Sequence, residues 1–185
     1  DIISGLVGLS KGAIYHHFRS KDDILMAVTD RMTAQSNQML AAIRDRSDLN
    51  GREKLKRIFK ESISRPVQND IFTVAPNFHD NPKLLFSLLH DTIDEVAPNY
   101  ILPIIRQGIS DGTIEAEYPE QLAELILLAA NVWMNPMIFD SSVEESCRKF
   151  MVFARMLQGF GLDILDDEIL ERLRELTAIY QEARR

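Results

Sequence analysis

The chain has 185 residues and a single cysteine, Cys147, so no disulfide can form within it. That scarcity leads to the expectation of a reducing, cytoplasmic setting. The first residues show no cationic stretch followed by an apolar one, so no signal peptide is expected. Long apolar runs are also missing. The longest, Leu122 to Phe139, is broken by Glu124, Asn131, Asn135 and Pro136, too polar for a membrane span, and reads as a buried or interface helix. Period-two alternation never extends beyond a few residues, and Asn50-Gly51 lies between helical patterns rather than between β-branched runs. There is no internal repeat and no low-complexity stretch.

Catalytic signatures are equally scarce. The sequence has no glycine-rich phosphate loop, no convincing carboxylate pair and no nucleophile elbow, and Cys147 lies in an amphipathic stretch where a lone cysteine reads as a small core residue. An enzyme is not expected. His79 and His90 stand eleven apart with Asp80, Asp91 and Asp94 nearby, but Asn81-Pro82 starts a helix between them. Without histidines paired at i,i+4, neither a metal nor any other cofactor is expected.

What is present is helical patterning on 45% apolar residues, enough for a sizeable core, and a net charge of −7. The charge is uneven. Residues 1–21 hold Lys11, Arg19 and Lys21 against Asp1 alone, net +2, which leaves −9 to the other 164. A basic end on an acidic body suggests that one end meets phosphates. Residues 1–7 read as the tail of a helix with no initiating Met, so a segment ahead of Asp1 is expected.

Start and stop signals divide the chain further. Ser10 is positioned to cap a short helix reaching about Phe18, and Ser20 to cap the next, with Asp22 and Asp23 in its first turn. That long helix should end near Asp45 to Asn50. Residues 51–65 put Leu55, Ile58, Phe59 and Ile63 on one face with Lys and Arg opposite, and Pro66 stops them. Residues 70–79 read as irregular turns. Asn81-Pro82 opens a helix that Pro98 and Pro103 should kink or divide before Gly112. Pro119 opens another, to about Met134. Ser142 to Glu145 form a capping box for a helix reaching Gly159 or Gly161. A last amphipathic helix covers about 166–183, with Ile169, Leu170, Leu173, Leu176 and Ile179 inward.

The informative run is Gly8-Leu9-Ser10-Lys11-Gly12-Ala13-Ile14-Tyr15-His16-His17-Phe18-Arg19-Ser20-Lys21. Physically it is a helix end, a tight turn, a short helix and a capped start, which is the layout of a helix-turn-helix. Lys11 brings charge, and Gly12 lets a backbone approach closely. Tyr15 and His16 can donate to phosphate oxygens, while Ile14 and Phe18, four apart, can anchor the helix. Ser20 and Lys21 sit at a helix N-terminus, which favours a phosphate.

This run resembles the recognition segment of the TetR-type (TetR/AcrR) regulator family, densely over residues 8–25 and by order of helices beyond. The resemblance implies an all-α protein: a partial helix-turn-helix domain with its connecting helix at 1–45, and a larger helical ligand-binding and dimerisation domain at 46–185. It implies base or phosphate contacts from Ser10, Lys11, Gly12 and Ala13, and phosphate contacts from Tyr15, His16 and Lys21. The family's first helix and much of its second have no counterpart here, and Gly5 and Val7 depart from its usual residues.

The same resemblance implies a ligand-responsive homodimer on a palindromic double-stranded DNA operator, acting as a repressor that a small-molecule effector releases. Candidate ligand-lining residues are Phe72, Phe78, His79, Phe86, Leu89, His90, Trp133, Met134, Met137 and Met156, although aromatic and methionine residues at helical spacing are usually ordinary core. The helices at 119–139 and 142–160 would join a four-helix bundle across a two-fold axis. Ala129, Val132, Phe150, Phe153, Ala154 and Leu157 are the interface candidates, unless they face the protomer core. The competing expectation is a helical small-molecule-binding module that no longer binds DNA.

Overall fold

The computed structural model describes residues 20–64 and 81–183, together with Ser10, Gly12, Ala13, Phe18 and Asn69. All regular structure among the described residues is helical. The order is α1 (Lys21–Arg44), α2 (Gly51–Ser64), α3 (Pro82–His90), a π-wound segment (Asp91–Ile101), α4 (Leu102–Ser110), α5 (Pro119–Leu128), a short π-wound segment (Ala129–Trp133), α6 (Val143–Gln158) and α7 (Asp167–Glu182). The chain forms two compact units, Asp1–Ala42 and Ile43–Arg185, and the division falls inside α1. The expected stop at Pro66 and the irregular turns at 70–79 lie outside the described residues.

Local chemistry sets the helix starts. Ser20 Oγ accepts from Asp23 N at 3.1 Å, Ser142 Oγ from Glu145 N at 3.1 Å, and Asp166 Oδ1 from Ile169 N at 3.1 Å. Each satisfies an amide that the first helical turn leaves without a partner. Pro82 and Pro119 stand in first turns, where a missing N–H is harmless. Gly112 and Gly161 take φ of +76° and +72°, the left-handed conformation that ends α4 and the turn after α6.

The prolines act differently from a simple kink. Pro98 lies inside the eleven-residue π-wound segment, and Pro103 falls in the first turn of α4. A proline cannot donate to the α ladder and its ring crowds the preceding turn. Here the chain runs on helically by widening its winding rather than breaking.

Helices α2, α4, α5, α6 and α7, with the first π-wound segment, enclose the core of the second unit. Leu55, Ile101, Ile104, Ile105, Ile126, Phe153, Leu157, Leu162, Ile164 and Leu176 are its fully buried centre. The rings of Phe59 and Phe153 meet at 5.8 Å, tilted by 52°, and join α2 to α6. The last helix buries Ile169 and Leu176 as its pattern requires, and also Thr177 and Tyr180. Thr177 is accommodated because its hydroxyl donates to Leu173 O at 2.8 Å.

The polar face of α2 is less free than its pattern suggests. Lys56 pairs with Asp166 at 3.0 Å and Lys60 with Glu168 at 2.7 Å, so α2 cations meet the acidic start of α7. Arg172 donates to Ile63 O at 3.0 Å and Asn69 Oδ1 at 2.6 Å. Exposed pairs of this kind are each worth little. Lys54 corrects the expectation outright: it is only 4% exposed.

Asp166 makes one of these contacts testable. The Lys56 ammonium holds its carboxyl below the usual carboxylate range, against the opposing pull of burial and with help from the Ile169 N–H. Because the folded pKa is depressed, the stabilisation is complete above the unfolded value and is lost as pH falls through the folded one. Asp166→Ala should therefore cost about 1 kcal/mol at neutral pH, the usual cost of a lost cap. Urea titrations at descending pH should show that gap closing in strong acid; a gap independent of pH would refute the assignment.

Candidate nucleic-acid interface

Ser10 and Ser20 bracket the short segment singled out in the sequence, and each caps a helix start. Ser10 Oγ accepts from Ala13 N at 3.3 Å, and Gly12 and Ala13 are helical. Both Ser10 and Gly12 are exposed, while Phe18 is half-buried. A Cβ built on Gly12 would meet nothing within 4 Å. Among the described residues no neighbour crowds this position, and a glycine there suits close approach by another molecule. Lys11, Tyr15 and His16 lie outside the described residues. Lys21 begins α1.

The comparisons bear on this same stretch. Residues 3–28 match the model of the bacterial regulatory proteins of the tetR family, a span that takes in all seven expected DNA contacts. Over 168 residues the chain is 26% identical to the Transposon Tn10 TetC protein of Escherichia coli, covering 90% of this chain and 81% of that protein. At its N-terminal end the chain is thus similar to the tetR-family regulatory proteins. The matched stretch takes in the helix-turn-helix run at the N-terminal end. The all-helical body is what a TetR-type regulator is expected to carry behind that head.

The body places the other expected residues unevenly. Phe86 is 72% exposed on α3, and His90 is exposed one turn later, their ring centroids 6.5 Å apart. His90 Nδ1 bonds to Asp94 Oδ2. These two stand on the protomer surface. The inward face of α3 is set by Leu84, and Phe86 is two residues, about 200°, away. Leu89, Met134 and Met156 are half-buried, Met137 is buried, and Trp133 reaches the surface at the second π-wound segment. Phe72, Phe78 and His79 lie outside the described residues.

The interface candidates divide in the same way. Phe150, Phe153 and Leu157 are buried within a single protomer, as is Ala129, whereas Val132 and Ala154 are half-buried. The exposed apolar side chains of α6 are Met151 and Val152, at 57% and 59%. Both sides of α6 are apolar, so periodicity alone could not separate the face toward the core from the face toward a partner. On α5 and the segment after it, Leu125 and Trp133 are exposed. No helix among the described residues is long and apolar enough to cross a membrane.

Proposed function

We propose that this chain is a TetR-type transcriptional regulator that acts in the cytoplasm as a homodimer on a palindromic operator, as a repressor that a small molecule releases. The observation that carries this reading is the pair of caps at Ser10 and Ser20, with no described atom close to Gly12, inside the residues that match the family model. In a two-fold dimer two such segments would enter successive major grooves, with half-site centres ~34–36 Å apart. Ser10, Lys11, Gly12 and Ala13 then meet bases or phosphates, and Tyr15, His16 and Lys21 meet phosphates.

The dimer face of this proposal lies on the exposed side of α6, at Met151 and Val152, with Ala154 at its margin, rather than at Phe150, Phe153 and Leu157. For the effector, the half-buried Leu89, Met134 and Met156 with Met137 supply an apolar lining, and the indole of Trp133 supplies a polar handle at its edge.

A gel shift with the dimer and its upstream intergenic DNA tests the head. Specific binding should weaken steeply with salt. Lys11→Ala and Tyr15→Ala should each reduce specific affinity by about tenfold, the scale of one good contact. Gly12→Ala separates function from folding. The helix should tolerate or gain from alanine, by up to about 1 kcal/mol, while operator affinity falls because the new methyl lies where DNA must approach. Unchanged affinity in all three variants would overturn the site. Tight small-molecule binding with no operator at any salt would favour the module that no longer binds DNA, a reading that the acidic body otherwise supports.

A further inference from the structure

The last turn of α1 is held by groups far away in sequence. Its final carbonyl, Arg44 O, accepts from Lys54 Nζ at 2.7 Å, and the same ammonium donates to Gln107 Oε1 at 2.6 Å. Gln107 Nε2 donates in turn to Leu49 O at 3.0 Å, in the loop that leaves α1. The Arg44 side chain reaches the other way. Its Nη1 donates to Asn99 O at 2.9 Å, and its guanidinium carbon lies 5.5 Å from the centre of the Tyr100 ring. One residue is therefore fixed through its carbonyl by α2 and α4, and through its side chain by the π-wound segment.

Two features make this arrangement unlike ordinary packing. The first is chemical cost. Lys54 is a buried cation whose two hydrogen-bond partners are neutral; the Asp45 and Asp48 carboxylates feel its charge but neither pairs with it directly, and burying a charge without a direct ion pair is expensive. An apolar side chain of the same length would serve a merely stabilising role at least as well. The ammonium does what methionine cannot: it reads the position of the negative end of α1 and of the Gln107 amide at once. The second is Pro103. An α-type bond to Asn99 O would need the N–H of residue 103, and proline has none. The missing donor leaves that carbonyl available to Arg44.

We propose that Lys54 and Arg44 are positioning residues for operator binding. They act through α1, the helix that runs on from the N-terminal unit, by fixing its last turn on α2, α4 and the π-wound segment. Pro103 keeps open the carbonyl on which Arg44 closes. This rests on the regulator reading above and adds to it residues that no DNA contact would reveal.

The test uses the full dimer with Lys54→Met, Arg44→Lys, Pro103→Ala and the double variant Arg44→Lys/Pro103→Ala. Thermal unfolding, hydrogen exchange of the amides of residues 40–46, and affinity for operator and for random DNA are measured together. Lys54→Met and Pro103→Ala should keep the melting temperature within a few degrees and speed exchange in the last turn of α1 by about tenfold. Operator affinity should fall by about tenfold while random-DNA affinity holds. The double variant should be no worse than its worse single parent, because both changes act at one carbonyl.

Unchanged exchange overturns the proposal. So does a loss of operator and random-DNA affinity alike with a salt slope lowered by about one, the mark of a direct phosphate contact. Strictly additive losses in the double variant also overturn it. Specific binding that survives every substitution overturns the proposal alone. Absence of specific binding by the unaltered dimer overturns the regulator reading, and the proposal falls with it.

Discussion

Phe153→Ala should destabilise the protomer by about 3–5 kcal/mol, whereas Met151→Asp/Val152→Asp on the same helix should leave the protomer folded and separate the proposed dimer. Phe153 is fully buried and touches the ring of Phe59, so truncation leaves a cavity between α2 and α6 that neither helix can fill. A loss of that size is a large part of the 5–15 kcal/mol typical of a whole protein. Urea titration would report it as a lowered midpoint. Met151 and Val152 are more than half exposed, so carboxylates there are solvated in the monomer and repel only across a two-fold axis. Sedimentation should shift from dimer to monomer. Operator affinity should fall by about a hundredfold or more, since one head then binds without its partner. A Phe153→Ala protein with normal stability would place that ring outside the core. A double-aspartate protein that stays dimeric would place the interface elsewhere.

The second large effect is expected at the crossing of α2 and α4. A Cβ on Gly51 would lie 2.4 Å from Gly108 Cα, 2.5 Å from Gly108 N and 2.8 Å from Ile104 O. All three are backbone atoms, so no rotamer change relieves the clash. Gly51 N also donates to Asp111 Oδ2 at 2.9 Å, which ties the start of α2 to the turn after α4 and resists outward movement. Burial pushes the Asp111 carboxyl up, but bonds from Thr113 and from the Gly51 amide more than offset it, so the group stays ionised and a good acceptor. Gly51→Ala should therefore cost about 1–3 kcal/mol or more by overpacking.

Gly108→Ala provides the control. Its methyl would meet the Ile114 side chain, with Cδ1 at 2.3 Å and Cγ1 at 2.4 Å. Shortening Ile114 to alanine should recover part of that loss and none of the loss at Gly51. Thermal unfolding of the four variants decides the matter; equal rescue at both glycines would mean that the helices simply move apart.

Much of the architecture is legible in single residues. Ser10, Ser20 and Ser142 each announce a helix by a hydroxyl that the next turn needs, and Pro82 and Pro119 by a donor that the first turn can spare. These signals are local, so sequence carries them. The recognition run is legible for the same reason, because its residues stand within fourteen positions.

What escapes is set by partners far along the chain. Lys54 looks like one more solvated cation of an amphipathic helix until Gln107, 53 residues on, is beside it. Gly51 looks like a linker residue until Gly108 arrives against it. The π winding of Asp91–Ile101 reflects where two prolines fall relative to packed neighbours, and a 3.6-residue pattern does not register it. The two apolar sides of α6 look alike in one dimension and have different fates in three.

A lysine that water barely touches is also one that acylating reagents barely touch. The amine at position 54 should remain unmodified while its outward-facing counterparts at 56 and 60 react, so its slow labelling would time the rare openings of the joint around it. The protein thus carries its own chemical clock beside the last turn of α1.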